Sequence, residues 1–233
     1  MSASKVQVIA VDGPAGAGKS SVCRGVAARL GLRYLDTGAM YRAMTLRVLQ
    51  AGVDPGDHEA VMAMAQQAEI TSGTDPSQPG IWLAGVDVTV AIRSAEVTAA
   101  VSAISAVPGV RHRLVAIQRA QVQAARDAGV GIVVEGRDVG TVVIPDADLK
   151  IFLIADPKVR AVRRAMENSA GVPLAEESVQ ATQKALLIRD AHDAGRVLSP
   201  LAQAADARVV DTTDFNLSEV IEQVCALAAG AQR

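Results

Sequence analysis

The sequence predicts an α/β fold, a parallel sheet with helices packed on both faces. Three observations predict it. Short apolar runs rich in β-branched residues recur along the chain and read as buried strands: Val6 to Val11, GIVVEG at 131–136, LKIFLIA at 149–155 and ARVVDT at 207–212. Stretches of helical periodicity separate them, and strands alternating with helices imply parallel pairing with both faces covered. Half of the 233 residues are apolar and 21% are charged, which suits one well-cored domain with a smaller appendage.

The first strand runs into a glycine-rich loop, GPAGAGKSS at 13–21, and then a helix from about Lys19 to Leu30, stopped by Gly31. A second helix is expected from Ala39 to about Gln50, ended by Gly52. The stretch from about 70 to 90 is different. ITSGTDPSQPG is rich in turn formers, and GIWLAGVDVTV reads as short strands around an Ala-Gly turn, so a small β insert is expected there, with Trp82 as its packing anchor. Helical periodicity returns from Ala95 to Ala125, broken at Pro108-Gly109. Asp156-Pro157 supplies a helix N-cap followed by proline at the first helical position. Asn216 with Glu219 gives a capping-box-like start to the terminal helix. There is no internal repeat and no low-complexity tract.

Composition narrows the function classes. Aromatic residues are 2% of the chain, too few for a platform that stacks single-stranded bases. The net charge is −2, whereas proteins that hold long nucleic acids carry a basic excess. An anion bound here should be small and met by a local cluster of arginines. Cys23 and Cys225 are far apart and in no CxxC pair, so neither a metal site nor a disulfide framework is expected. No apolar run approaches the length of a membrane span, and the amino terminus lacks the pattern of a secretion signal. The cytoplasm is the expected compartment.

The glycine-rich loop carries the strongest signal. Gly13, Pro14, Ala15, Gly16, Ala17, Gly18, Lys19 and Ser20 fit G-x-x-x-x-G-K-[ST], with Ser21 following, in the strand–loop–helix setting that a phosphate loop requires. Backbone N–H groups would converge on phosphate oxygens, and the helix adds the positive end of its dipole. Lys19 would reach the β- and γ-phosphates, and the Ser20 hydroxyl would ligate Mg²⁺. The motif implies a nucleoside triphosphate but not its use. A switch GTPase is disfavoured because no D-x-x-G follows the loop and no N-K-x-D or T-K-x-D occurs. A motor-type ATPase would normally be larger, although Glu135 does end a strand as such enzymes need. A small-molecule kinase is the third branch.

Arginines at non-periodic places favour that branch. YLDTGAMYR puts Thr37, Tyr41 and Arg42 at a loop-to-helix junction, and EGRDVGT puts Arg137 and Asp138 beyond the carboxyl end of a buried strand, where open α/β sheets bind ligands. IRDAHDAGR gives Arg189, Asp190, Asp193 and Arg196, of which Arg189, Asp193 and Arg196 share one helix face. VRAVRRAMEN gives Arg160, Arg163 and Arg164 on one side of a helix. A solvated surface or internal ion pairs would account for each cluster separately. Glycines around Arg137-Asp138, however, point to close backbone approach. A kinase that joins two anionic chains needs guanidinium groups to screen their repulsion, and it needs positioning more than covalent chemistry. An acceptor that is itself a phosphate is already ionised near neutral pH and requires no general base. His58, His112 and His192 are scattered and offer none. An alcohol acceptor would want an aspartate base, and Asp36 keeps that alternative open.

The stretches GPAGAGKSS, LDTGAMYR, VVEGRDVGTVVIPDADLKIFL and SPLAQAADARVVDTT together resemble the bacterial cytidylate kinase (CMP kinase) family of P-loop nucleoside-monophosphate kinases. The resemblance runs from Val8 to about Val224, and EGRDVGT and the β insert before Ile92-Arg93 resemble this family in particular. It implies a P-loop core formed by residues 1–36, 114–155 and 174–233, a nucleoside-monophosphate-binding region at 37–113 that carries the insert, and a lid at 156–173. It also implies transfer of phosphate from ATP, with Mg²⁺, to CMP or dCMP by a monomer in pyrimidine nucleotide metabolism. By the same resemblance Gly13 to Ser21 hold ATP, while Lys19, Arg137, Arg196, Arg160 and Arg164 are the catalytic candidates. Arg42, Arg137 and Arg196 would grip the acceptor phosphate. Ser102, Arg111 and Asp138 would read the cytosine edge, Arg189 and Asp193 would meet the sugar, and Thr37 and Tyr41 would join the acceptor side. Arg160, Arg163 and Arg164 would belong to the lid. Two alternatives remain: another P-loop small-molecule kinase of the UMP or shikimate type, and a non-catalytic nucleotide-binding protein.

Overall fold

The computed structural model describes residues 7–169 and 175–231. Val6, at the expected start of the first strand, and residues 170–173, at the end of the expected lid, lie outside the described residues. Five parallel strands form the main sheet: β1 (Val8–Asp12), β2 (Arg33–Asp36), β6 (Ile132–Glu135), β7 (Leu149–Ile154) and β8 (Arg208–Asp211), in the order β2-β6-β1-β7-β8. The alternation of β1 shows why the sheet is covered twice. Val8 and Ala10 join a core with Leu35, Met40, Met44, Ile132 and Val134 on one face. Ile9 and Val11 join Val22, Cys23, Val26, Val133 and Val224 on the other. Burying one such side chain is worth about 1.5–3 kcal/mol, and a strand apolar on both faces collects that only inside a sandwich of helices.

Helix α1 (Lys19–Leu30) and the terminal helix α8 (Leu217–Ala231) pack on the second face. Gly31 closes α1 in the left-handed conformation, as its position in the sequence suggests. Asn216 and Glu219 form the expected reciprocal cap of α8, each side chain accepting from the other's backbone N–H. The other face carries α2 (Thr37–Gln50), α3 (His58–Gln67), α4 (Ala95–Ala106) and α5 (Pro108–Asp127). The break foreseen at Pro108 is the α4–α5 junction. Helix α2 begins two residues earlier than periodicity suggests because the Asp36 side chain accepts from the Ala39 N–H as its N-cap.

Between α3 and α4 the insert forms an antiparallel sheet of β3 (Ile70–Ser72), β4 (Ile81–Leu83) and β5 (Val86–Asp87), turning at Ala84-Gly85. The Trp82 ring lies against Gly80, where an added Cβ would come within 2.5 Å of it, so Trp82 packs the insert as expected. The insert's loop also reaches the main sheet. The Thr74 carbonyl accepts from the Tyr34 N–H on β2 at 2.9 Å, and Arg24 of α1 donates to the Pro76 carbonyl at 2.9 Å. Helices α6 (Pro157–Ser169) and α7 (Glu176–Ala194) lie beyond the carboxyl end of β7. Asp156 caps α6 by accepting from the Lys158 N–H at 2.7 Å.

Candidate active site

Because β1 lies at the centre of the sheet, the loop after it opens between the carboxyl ends of β6 and β7, the ligand-binding edge of this topology. Gly13 leaves the strand with φ 144°, and a Cβ there would fall 2.1 Å from the Leu153 carbonyl oxygen, so only glycine fits. Gly18 caps α1 in the left-handed region, and neither a capping side chain nor a first-turn acid covers the helix's free N–H groups. They remain open to an anion. Lys19 is buried, and its Nζ donates to the Pro14 carbonyl at 2.6 Å. Burial pushes its ammonium down, and the charge of Arg137 pushes the same way. Ser20 and Ser21 are exposed at the rim, whereas Ala17 is wholly core.

Two acids brace the loop. Glu135, at the end of β6, accepts from the Tyr34 hydroxyl and the Ser20 hydroxyl, and burial, with Asp36 nearby, pushes its carboxyl up. Asp190 of α7 accepts from the Ala15 N–H at 3.1 Å and pairs with Arg160.

The loop forms one wall of a cleft of about 530 Å³, and arginines form the other. Arg42, Arg137, Arg164, Arg189 and Arg196 all line it. The helix face foreseen for Arg189, Asp193 and Arg196 is cut short, because α7 ends at Ala194 and Arg196 follows its C-cap; Asp193, buried, holds Arg137 through one oxygen (Nε at 3.2 Å) and Arg196 through the other. Arg189 and Arg196 each keep a buried Nε with no hydrogen-bond partner. Burial pushes Arg42 and Arg189 down to about 10, and for each the next cause is a neighbouring arginine: Arg189 beside Arg42, and Arg137 beside Arg189. Cations crowded this closely, with donors unspent, form a receptor for a dense anion.

Further along the cleft Arg111 and Asp138 form a buried ion pair, and the Arg111 guanidinium lies 5.2 Å from the centroid of the Tyr41 ring. The residues expected to read a base are therefore already joined. Ser102 is the exception. The cleft is lined here by Val101 and Ser105, and Ser102 contributes its carbonyl, which accepts from the Ser105 hydroxyl at 3.1 Å. Ser105 also accepts from Arg196 at 2.8 Å and, through its carbonyl, from Arg111 at 3.1 Å. Thr37 lines the cleft and donates to the Glu135 carbonyl at 2.7 Å.

The lid arginines separate. Arg160 is buried, paired with Asp190 and donating to the Ala15 carbonyl at 3.1 Å. Arg163 donates to the Thr212 hydroxyl and carbonyl at 2.8 and 2.7 Å. Both bind α6 to the core, because each meets carbonyl or carboxylate groups left free at the ends of other elements. Only Arg164 of the three faces the cleft. Sequence reasoning missed Asp12, whose carboxylate accepts from the Val139 and Gly140 N–H groups, both at 2.8 Å. It gave no role to Glu135 in the cleft, to Asp190 or to Ser105. An acid between the first strand and Gly13 was the available signal for Asp12.

Oxygen donors beside the loop suit a hard cation. The Ser20 hydroxyl and the Glu135 carboxylate are few, as expected where substrate phosphates and water complete the shell of Mg²⁺. No three His, Cys, Asp or Glu side chains among the described residues gather into a metal-binding group. No described helix is long and apolar enough to cross a membrane.

A family model described as cytidylate kinase matches residues 9–229. The cytidylate kinase of Streptomyces avermitilis is 53% identical over 220 residues, covering 94% of this chain and 91% of that protein. That of Streptomyces griseus is 52% identical over 223 residues, covering 96% and 93%. Among solved structures, an uncharacterized protein from Eubacterium ventriosum matches with a TM-score of 0.51 and 10% identity, covering 96% of this chain and 98% of that one, a likeness of fold alone.

Proposed function

The chain belongs to the cytidylate kinase family, and on that footing we propose that it transfers the γ-phosphoryl group of Mg-ATP to CMP or dCMP, giving ADP and CDP or dCDP. One observation carries the acceptor reading. Across the cleft from the phosphate loop stands a group of arginines, of which Arg189 and Arg196 each keep a buried Nε without a hydrogen-bond partner. Two phosphate chains can meet there end to end.

The loop 13–20 cradles the β- and γ-phosphates through its backbone N–H groups, with Lys19 between them. Ser20, with Glu135 behind it, would hold Mg²⁺, which would supply charge neutralisation to the transferring phosphates. Arg42, Arg137 and Arg196 grip the acceptor phosphate and align one of its oxygens with the γ-phosphorus. That oxygen forms the new P–O bond while the bridging bond to the β-phosphate breaks, and ADP leaves with the electron pair. No proton has to move, because the attacking phosphate is already ionised. Asp36, the one base an alcohol acceptor would use, is engaged as the N-cap of α2.

The Arg111–Asp138 pair presents a donor and an acceptor side by side. Asp138 accepts from the exocyclic amine of cytosine, and Arg111 donates to the ring carbonyl. Arg189 and Asp193 meet the sugar. Residues 37–113 carry the acceptor. The described part of the expected lid, residues 156–169, covers the triphosphate, with Arg164 as its contributing arginine, since Arg160 and Arg163 tether α6. On the same reading the enzyme works as a monomer in the cytoplasm.

A coupled ADP-release assay with Mg-ATP tests this, using CMP, dCMP, UMP, AMP, GMP and shikimate as acceptors. Turnover confined mainly to CMP and dCMP is expected. Turnover on shikimate or UMP alone would overturn the base-reading assignment, and no turnover with any acceptor would favour a nucleotide-binding role.

A further inference from the structure

Asp12 lies at the meeting point of the two substrate sides, yet both its oxygens are spent on backbone. It ends β1 one residue before the phosphate loop and is 4% exposed. Its Oδ1 accepts from the Val139 N–H and its Oδ2 from the Gly140 N–H. Those two donors open a wide helical turn, Val139–Val143, and the turn itself gives its first N–H groups no partner. The other end of the turn is held as well. Arg119 of α5 donates through Nε to the Val143 carbonyl at 2.9 Å and through Nη2 to the Val142 carbonyl at 2.7 Å. Within the turn the Asp138 carbonyl accepts from Val142 at 2.8 Å and Val143 at 3.2 Å.

Arg137 and Asp138 are the last two of the three residues between β6 and this turn. Their backbone has little freedom, since a Cβ on the preceding Gly136 would meet Val139 at 2.6 Å and Thr37 at 2.7 Å. Burying a carboxylate is costly unless every lone pair is used, and a neutral side chain would fill the site more cheaply. The two charge-assisted bonds offset part of that cost and make β1 an anchor for the turn.

We propose that Asp12 and Arg119 are positioning residues that clamp the Val139–Val143 turn and thereby fix Arg137 and Asp138 against the acceptor nucleotide. Asp12 also ties the strand that carries the phosphate loop to the loop that carries the acceptor contacts, so the two substrates are placed relative to one another through one side chain. The inference rests on the acceptor role proposed above for Arg137 and Asp138.

Asp12→Asn keeps the shape of the side chain but turns one acceptor into a donor facing a backbone N–H. Arg119→Gln releases the far end of the turn at a distance from the phosphate loop. The experiment is calorimetric titration of each full-length protein with CMP and, separately, with Mg-ATP, followed by steady-state kinetics. Wild type is measured first: if it neither binds nor phosphorylates CMP, the acceptor reading falls, whatever the variants do. Given wild-type activity, Asp12→Asn is expected to weaken CMP binding about tenfold, by loss of a charge-assisted bond, and to lower the preference for CMP over UMP. Mg-ATP binding should stay within about twofold. Arg119→Gln should raise KM for CMP in the same direction, by about threefold, with Mg-ATP again unaffected. The proposal is overturned if CMP binding stays within twofold of wild type in both variants. It is equally overturned if CMP and Mg-ATP affinities fall together in Asp12→Asn, for Asp12 would then be a prop of the phosphate loop. If Asp12→Asn does not fold, the same two affinities in Arg119→Gln decide.

Discussion

Replacing Asp138 by Ala removes one half of an ion pair whose side chains are only 4% and 7% exposed. An exposed pair would be worth at most about 1 kcal/mol. Here the surviving Arg111 cation is left buried, with the Ser105 carbonyl at 3.1 Å and the Tyr41 ring at 5.2 Å to compensate it. At an effective dielectric of about 20 and a charge separation of about 4 Å, the lost attraction is roughly 4 kcal/mol. Breaking buried pairs from one side typically costs about 3–5 kcal/mol, so two routes agree. For a chain of this length that corresponds to a fall in Tm of roughly 10 °C. Arg111→Met should cost a similar amount, because it strands the carboxylate instead. The double variant removes both charges and should recover most of the loss. With each single variant costing about 4 kcal/mol and the double only about 1, urea unfolding of the four proteins at neutral pH yields a coupling energy of about 7 kcal/mol. Additivity within about 0.5 kcal/mol would refute the reasoning, since it would mean that each charge finds another partner.

Lys19→Ala should reduce ADP release by roughly a thousandfold while the protein melts normally, because burial already disfavours the ammonium; near-normal rates would sink the phosphate-loop assignment. Arg196→Ala should lower kcat/KM for CMP by about a hundredfold yet cost little stability, since Asp193 keeps Arg137; equal losses in both would make Arg196 a structural ion-pair member only. The third expectation concerns pH. Burial raises the Asp12 carboxyl from 3.8 to about 6, so its contribution to stability is fully present below pH 3.8 and is lost as pH rises through 6. Wild-type stability minus that of Asp12→Asn, followed by denaturant unfolding, should fall by about 3 kcal/mol between pH 3.8 and pH 7. A flat difference would show that the carboxylate is better solvated than its burial implies.

The parts of the fold written in strong local patterns were legible. The strands of the central sheet other than β2, the caps at Gly31, Asp156 and Asn216, and the break at Pro108 stand where periodicity and capping chemistry put them. β2 was missed because RYLD is four residues with a charge at each end, and its pairing with β6 is set from outside. Helix α3 was missed although Asp57 caps it by accepting from Ala60. The Val139–Val143 turn was missed because a run such as VGTVV has no period that separates a wide turn from a strand. In the site the divide is between residue type and partner. Arginines could be found one by one, but nothing local shows that Asp190 takes Arg160 away from the cleft, or that Ser105 rather than Ser102 lines it. Those outcomes depend on how α4, α6 and α7 meet, over separations that pattern reading does not span.

The bond from Tyr34 to Thr74 has a meaning beyond placing the insert. β2 is the last strand on its side of the sheet, and an uncovered last strand offers its backbone to any extended segment that drifts past. Here the loop 73–80 lies along that border, and it carries Pro76 and Pro79, which have no N–H with which to continue a ladder outward. The acceptor-side insert thus also acts as a guard against self-association. A chain shortened across 73–80 is expected to precipitate during refolding even where its phosphate loop, at the start of α1, is untouched.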